Sequence, residues 1–114
     1  MTSSVNDNEE IVGYIEEVLN TRDASNILPK IEQRLEVGIE RYGHGIIALD
    51  DTTKYGTEGN DWLEMMEEEC LDALVYCASK RAQMKRMDTP DLTASQLDRL
   101  WAAMESIIVA LNIA

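Results

Sequence analysis

The segment Trp62-Leu63-Glu64-Met65-Met66-Glu67-Glu68-Glu69-Cys70-Leu71-Asp72-Ala73-Leu74-Val75-Tyr76-Cys77 carries two periodic patterns at once. Leu63, Met66, Cys70, Ala73, Leu74 and Cys77 recur every three or four positions, which is one face of an α-helix. Leu71, Val75 and Ala78 make a second apolar edge. Asn60 or Asp61 can start this helix, Met87 is its expected end and Pro90 its stop. At roughly 27 residues it would be about 40 Å long.

Downstream, Thr93-Ala94-Ser95-Gln96 is a capping-box pattern that opens a further helix. Its apolar stripe is Leu97, Leu100, Trp101, Met104, Ile107, Ile108 and Leu111. Ala102, Ala103, Val109 and Ala110 make it apolar beyond one stripe, which predicts burial on more than one side and hence a subunit interface.

Upstream, a long irregular stretch is expected over 44–60, with Ile46, Ile47 and Leu49 as a short extended piece. Loops of that length in a small domain are often functional or mobile. Before it, Ile27, Leu28, Ile31, Leu35, Ile39 and Tyr42 predict a helix that Gly43 ends in the left-handed conformation. A first helix follows Ile11, Val12, Ile15, Val18 and Leu19, with Asp7 or Asn8 as its cap. Residues 1–7 read as a disordered lead-in, and 8–114 as a single all-α domain of four helices.

The chain has 114 residues, with 10 Lys and Arg against 22 Asp and Glu, a formal net charge of −12. That field repels a phosphate backbone and argues against binding a nucleic-acid polymer. It suits a cation, or an anion accompanied by cations; solubility alone is the plainer explanation. No apolar run is long enough to span a membrane, and the polar, acidic Met1–Glu10 does not resemble a signal peptide. Cys70 and Cys77 would lie about 10 Å apart along one helix, too far for a disulfide. They read as thiols of a reducing cytoplasm.

Three constellations can carry chemistry. Glu68, Glu69 and Asp72 fall within one turn or so of the long helix, where like charges oppose one another unless a proton or cation intervenes. Asp72 lies among Leu71, Ala73, Leu74 and Val75 and is expected near the buried side. Carboxylates with water suit Mg²⁺ or Mn²⁺. Glu64 and Glu67 fit a solvated first turn that complements the helix dipole.

Glu32, Glu36 and Glu40 form an acidic stripe on the second helix, either a plain solvated face or one wall of a cation site. The third group is the loop and its flanks: Arg41, His44, Lys54, Tyr55, Trp62 and, further on, Lys80 and Arg81. The cations there suit phosphate oxygens and the aromatics a nucleobase, although Trp62 reads equally as a core anchor. Glycine-rich phosphate loops, nucleophile elbows and zinc-type Cys/His spacings do not occur.

Glu68-Glu69-Cys70-Leu71-Asp72-Ala73-Leu74-Val75-Tyr76 resembles the E-x-x-D helix of MazG-like, all-α nucleoside triphosphate pyrophosphohydrolases, with Glu69-x-x-Asp72 as the match. Arg34 to Gly43, a loop, and then Asp61-Trp62 look like the arrangement in small phage-borne relatives of that group. The resemblance covers about Ile27 to Arg81. Where such enzymes carry E-E-x-x-E on the preceding helix, this chain has Glu36-x-x-x-Glu40.

The resemblance implies a four-helix bundle that forms a homodimer or homotetramer. It also implies Mg²⁺-dependent hydrolysis of a nucleoside or deoxynucleoside triphosphate to monophosphate and pyrophosphate. Glu36, Glu40, Glu69 and Asp72 would hold the metal, with Glu68 as a further ligand or the base that orients water. Arg41, Lys54 or Lys80 would contact phosphate, and Trp62 or Tyr55 the base. The rival expectations are a non-catalytic module that sequesters a nucleotide on the same fold, and a helical adaptor with no ligand.

Overall fold

The computed structural model describes residues 6–89 and 91–113. Four α-helices carry the fold: α1 (Asn8–Thr21), α2 (Leu28–Tyr42), α3 (Trp62–Arg86) and α4 (Ala94–Leu111). No strand occurs among the described residues, so the protein is all-helical, as its apolar periodicity predicts. The chain divides between Asp50 and Asp51 into two compact units, where the sequence reads as one domain over 8–114.

In the first unit, α1 leads through a 3₁₀ turn at Ser25–Ile27 into α2, with Pro29 in the first turn of α2. Proline suits that place because the first-turn N–H groups have no helical partner. Ile11, Val12, Ile15 and Leu19 of α1, and Leu28, Ile31 and Leu35 of α2, are half-buried. Gly43 closes α2 at φ 80°, and its N–H donates to the Ile39 carbonyl.

Residues 45–48 pair with the start of α1 instead of forming the short extended piece expected of Ile46, Ile47 and Leu49. Asp7 N–H donates to the Ile46 carbonyl at 2.6 Å. Ile46 N–H donates to Asn8 Oδ1 at 2.8 Å, and Ala48 N–H to Asp7 Oδ2 at 2.6 Å. The Asp7 carboxylate is thereby diverted from α1, and Asn6 Oδ1 accepts from Asn8 N–H at 3.2 Å at the start of that helix. Of the expected lead-in, residues 1–5 lie outside the described residues, whereas Asn6 and Asp7 are held in this network.

In the second unit, Asp61 caps α3, its side chain accepting from Leu63 N–H, and the helix ends at Arg86. Pro90, the expected stop, lies outside the described residues. The capping box at α4 forms as its sequence predicts: Gln96 N–H donates to Thr93 Oγ1 at 3.2 Å, and Thr93 N–H to Gln96 Oε1 at 2.9 Å. Met66, Cys70, Ala73 and Cys77 are half-buried on α3, and Met84 is buried. On α4 the half-buried row is Leu97, Leu100, Met104, Ile107 and Leu111. These rows repeat every three or four residues, the spacing that lets two helices pack into a hairpin.

Candidate functional site

The loop that enters α3 is built around one hydroxyl. Thr52 is fully buried. Its hydroxyl shares a 2.8 Å hydrogen bond with Thr57 Oγ1 and accepts from Asp61 N–H at 2.8 Å. The Gly59 carbonyl is 3.1 Å from Thr52 Oγ1 and 2.6 Å from Thr57 Oγ1. Thr52 N–H donates to Asn60 Oδ1 at 3.0 Å. The Glu64 carboxylate then closes the loop from α3, accepting from Glu58 N–H at 2.6 Å and Gly59 N–H at 3.0 Å.

Asp51 caps the 3₁₀ turn at Thr52–Tyr55, its Oδ1 accepting from Thr53 N–H at 3.0 Å and from the Thr53 hydroxyl at 2.6 Å. Gly56, at φ 111°, ends that turn in a conformation that strains any residue with a Cβ. The irregular stretch is therefore ordered by its own polar groups.

The product of this order is a cluster of three predicted site residues. The Tyr55 and Trp62 rings lie 6.1 Å apart, tilted by 33°. Lys54 Nζ sits 5.3 Å from the centre of the Tyr55 ring, within cation–π range. Glu69 follows Trp62 by seven residues and Asp72 by ten, so these acids stand about 10 and 15 Å further along α3.

Glu68, Glu69 and Asp72 are all exposed. For Asp72 this corrects the expectation of a place near the buried side: the row of α3 facing α4 runs through Met66, Cys70, Ala73, Cys77 and Met84, and Asp72 falls off it. Among the described residues no three carboxylates, histidines or cysteines are grouped to hold a metal ion by themselves.

The predicted ligands divide between the units, Glu36 and Glu40 on α2 and Glu69 and Asp72 on α3. Glu36 lines a cleft of about 570 Å³ between α1 and α2, together with Glu9, Glu16, Glu32, Val12 and Leu35. The sequence marks Glu9 only as a first-turn acid of α1 and carries no reading of Glu16, although their seven-residue spacing around Val12 puts them on one side of α1. Glu40 and Arg41 are exposed at the last turn of α2.

Lys80 is engaged elsewhere. Its ammonium donates to Asp91 Oδ2 at 2.7 Å and to Gln83 Oε1 at 3.0 Å. The hydrogen bond from Lys80 holds the Asp91 carboxyl below its ordinary value. His44 Nδ1 lies 2.7 Å from the Gly45 carbonyl. Cys70 and Cys77 are free, half-buried thiols. No described helix is long and apolar enough to cross a membrane. Comparison with family models, curated proteins and solved structures finds no match to the chain.

Proposed function

We propose that the protein is a cytoplasmic, Mg²⁺-dependent nucleoside triphosphate pyrophosphohydrolase that works as a homodimer or homotetramer. The observation that carries this reading is the Lys54–Tyr55–Trp62 cluster at the head of α3, with Glu68, Glu69 and Asp72 two to three turns further along that helix. Tyr55 and Trp62 offer a surface on which a base stacks, and Lys54 offers a cation to an adjacent phosphate. The acids stand along the helix where the phosphate chain of a stacked nucleotide would run, and release of pyrophosphate requires that the oriented water attack at the bond between the α- and β-phosphates.

The donor set suits the ion. Mg²⁺ usually takes one or two carboxylates and completes its shell with water and substrate phosphates, so no closed protein cage is needed. Glu69 and Asp72 would hold it. When bound, it offsets phosphate charge and lowers the pKa of a coordinated water. Glu68 would accept a hydrogen bond from the attacking water and orient it. Lys80 would first have to leave Asp91 to contact phosphate.

A nucleotide-sequestering module without turnover is the second reading, favoured by Glu36-x-x-x-Glu40 in place of E-E-x-x-E. Product analysis of a panel of ribo- and deoxyribonucleoside triphosphates separates the two. Monophosphate and pyrophosphate from wild type, and none from Asp72→Ala, support the hydrolase. Nucleotide-dependent thermal stabilisation without products supports the module. No product and no stabilisation leave a helical adaptor.

A further inference from the structure

Asp61-Trp62-Leu63-Glu64 has the spacing of a capping box, in which an acid in the first turn bonds back to the N–H of the capping residue. The capping bond forms: Asp61 Oδ1 accepts from Leu63 N–H at 2.9 Å. The return bond does not, because Asp61 N–H already donates to Thr52 Oγ1 at 2.8 Å. Glu64 reaches past the cap instead. Its two carboxylate oxygens divide between successive backbone groups, Oε2 accepting from Glu58 N–H at 2.6 Å and Oε1 from Gly59 N–H at 3.0 Å. Hydrogen bonds to a carboxylate are the stronger kind, and a bidentate pair fixes orientation as well. Gly59 leaves the room this takes: a Cβ there would stand 3.0 Å from Glu64 Oε1.

Glu58 and Gly59 follow Tyr55 by three and four residues, and Glu64 follows Trp62 by two. The clamp thus ties the stretch of loop that carries Lys54 and Tyr55 to the helix that carries Trp62. The bonds among Thr52, Thr57, Asn60 and the Gly59 carbonyl join loop residues to one another. Glu64 adds a hold from within α3, and it is half-buried in doing so.

We propose that Glu64 is a positioning residue for the base site: its carboxylate holds Tyr55 against Trp62, and through Tyr55 it sets how tightly the nucleobase binds. This rests on the reading of Tyr55 and Trp62 as the stacking surface. Trp62 belongs to the first turn of α3 and keeps its place without the clamp, so loss of Glu64 forfeits what Tyr55 contributes and no more. Glu69 and Asp72 stand on α3 itself, beyond the clamp. Glu64 therefore acts on nucleotide affinity, and the acids further along the helix act on the chemical step.

Steady-state kinetics with Mg²⁺, on the nucleoside triphosphate that wild type turns over best, test this with wild type, Glu64→Ala, Tyr55→Leu and the double variant. Glu64→Ala should raise KM about five- to tenfold and leave kcat within about twofold. The same substitution made in Tyr55→Leu should raise KM by less than about twofold, because the ring that Glu64 positions is gone. Glu64→Gln keeps one acceptor oxygen, so it carries the same cycle with a smaller rise, about threefold, should the alanine variant fail to fold. Where a nucleotide binds without turnover, Kd from titration calorimetry replaces KM in the cycle. Unchanged affinity in the Glu64 variants, equal effects in the two backgrounds, or a fall in kcat at constant KM would overturn the positioning role and leave the hydrolase reading standing. Binding without turnover, with the cycle as expected, would overturn the hydrolase reading and keep the positioning role. A wild type that neither binds nor hydrolyses any nucleotide would overturn both.

Discussion

Tyr55 and Trp62 meet at the head of α3 with ring centres 6.1 Å apart, although seven residues separate them in the chain. The intervening turn is folded by hydrogen bonds from Thr52, Thr57, Asn60 and Glu64, so the aromatic pair is positioned before any ligand arrives. Preorganisation of this kind lowers the cost of ordering side chains on binding.

On the proposed reading, Trp62→Ala removes half of the surface on which a base would stack. Stacking of a base on an aromatic ring is worth about 1–3 kcal/mol, so KM for the preferred nucleotide should rise by roughly tenfold or more. The ranking of bases should flatten as well. Steady-state kinetics across the nucleotide panel measure both, and unchanged KM values and ranking would remove Trp62 from the base site.

Thr52→Val keeps the volume of a fully buried side chain but deletes the hydroxyl that accepts from Asp61 N–H and pairs with Thr57. A buried polar group left without its partner costs about 1–3 kcal/mol. The urea midpoint should fall accordingly, and Tyr55 should become more accessible to iodination. Wild-type stability in the variant would show that the network does not hold the loop.

A Cβ at Gly45 would stand 2.8 Å from both Asn6 Cβ and Asn8 Nδ2. Asn8 would have to give up its bond to Ile46 N–H to make room. Gly45→Ala is expected to cost roughly 1–3 kcal/mol, whereas Gly38→Ala, where nothing lies within 4 Å, should be neutral or slightly stabilising. Paired denaturation curves decide this.

The four helices could be read from the sequence because their signals are local. Gly43, Asp61 and the Thr93/Gln96 box mark ends through bonds to nearby backbone. Lys54, Tyr55 and Trp62 stand out in the sequence only within a larger group that also holds Arg41, Tyr42 and His44, and the structure brings the first three together. The internal order of the loop was not legible: Thr52 and Glu64 act on backbone groups several residues away, and no periodicity announces that. The exposure of Asp72 was hidden for a related reason. Apolar neighbours in sequence are not neighbours on a helix, and the second stripe of Leu71 and Val75 faces away from α4.

The Lys80–Asp91 pair gives a pH prediction. Its hydrogen bond lowers the folded-state pKa of Asp91 from 3.8. A carboxyl lowered by folding contributes stability that is present above its unfolded value and lost as pH falls through its folded value. Wild type should therefore lose a small stability advantage over Asp91→Asn as pH drops below about 4. Both side chains are partly solvated, at 31% and 48% exposure, so the effect is modest and fades with added salt. Thermal midpoints of the two proteins between pH 3 and 7 would reveal it, and a constant difference would refute it.

The most direct test of the catalytic claim is chromatographic product analysis of each nucleoside triphosphate incubated with Mg²⁺ and wild type or Asp72→Ala. The expected result is equimolar monophosphate and pyrophosphate from wild type, and loss of turnover in Asp72→Ala with its helical content intact. Diphosphate and orthophosphate as products, or an Asp72→Ala variant as active as wild type, would contradict it.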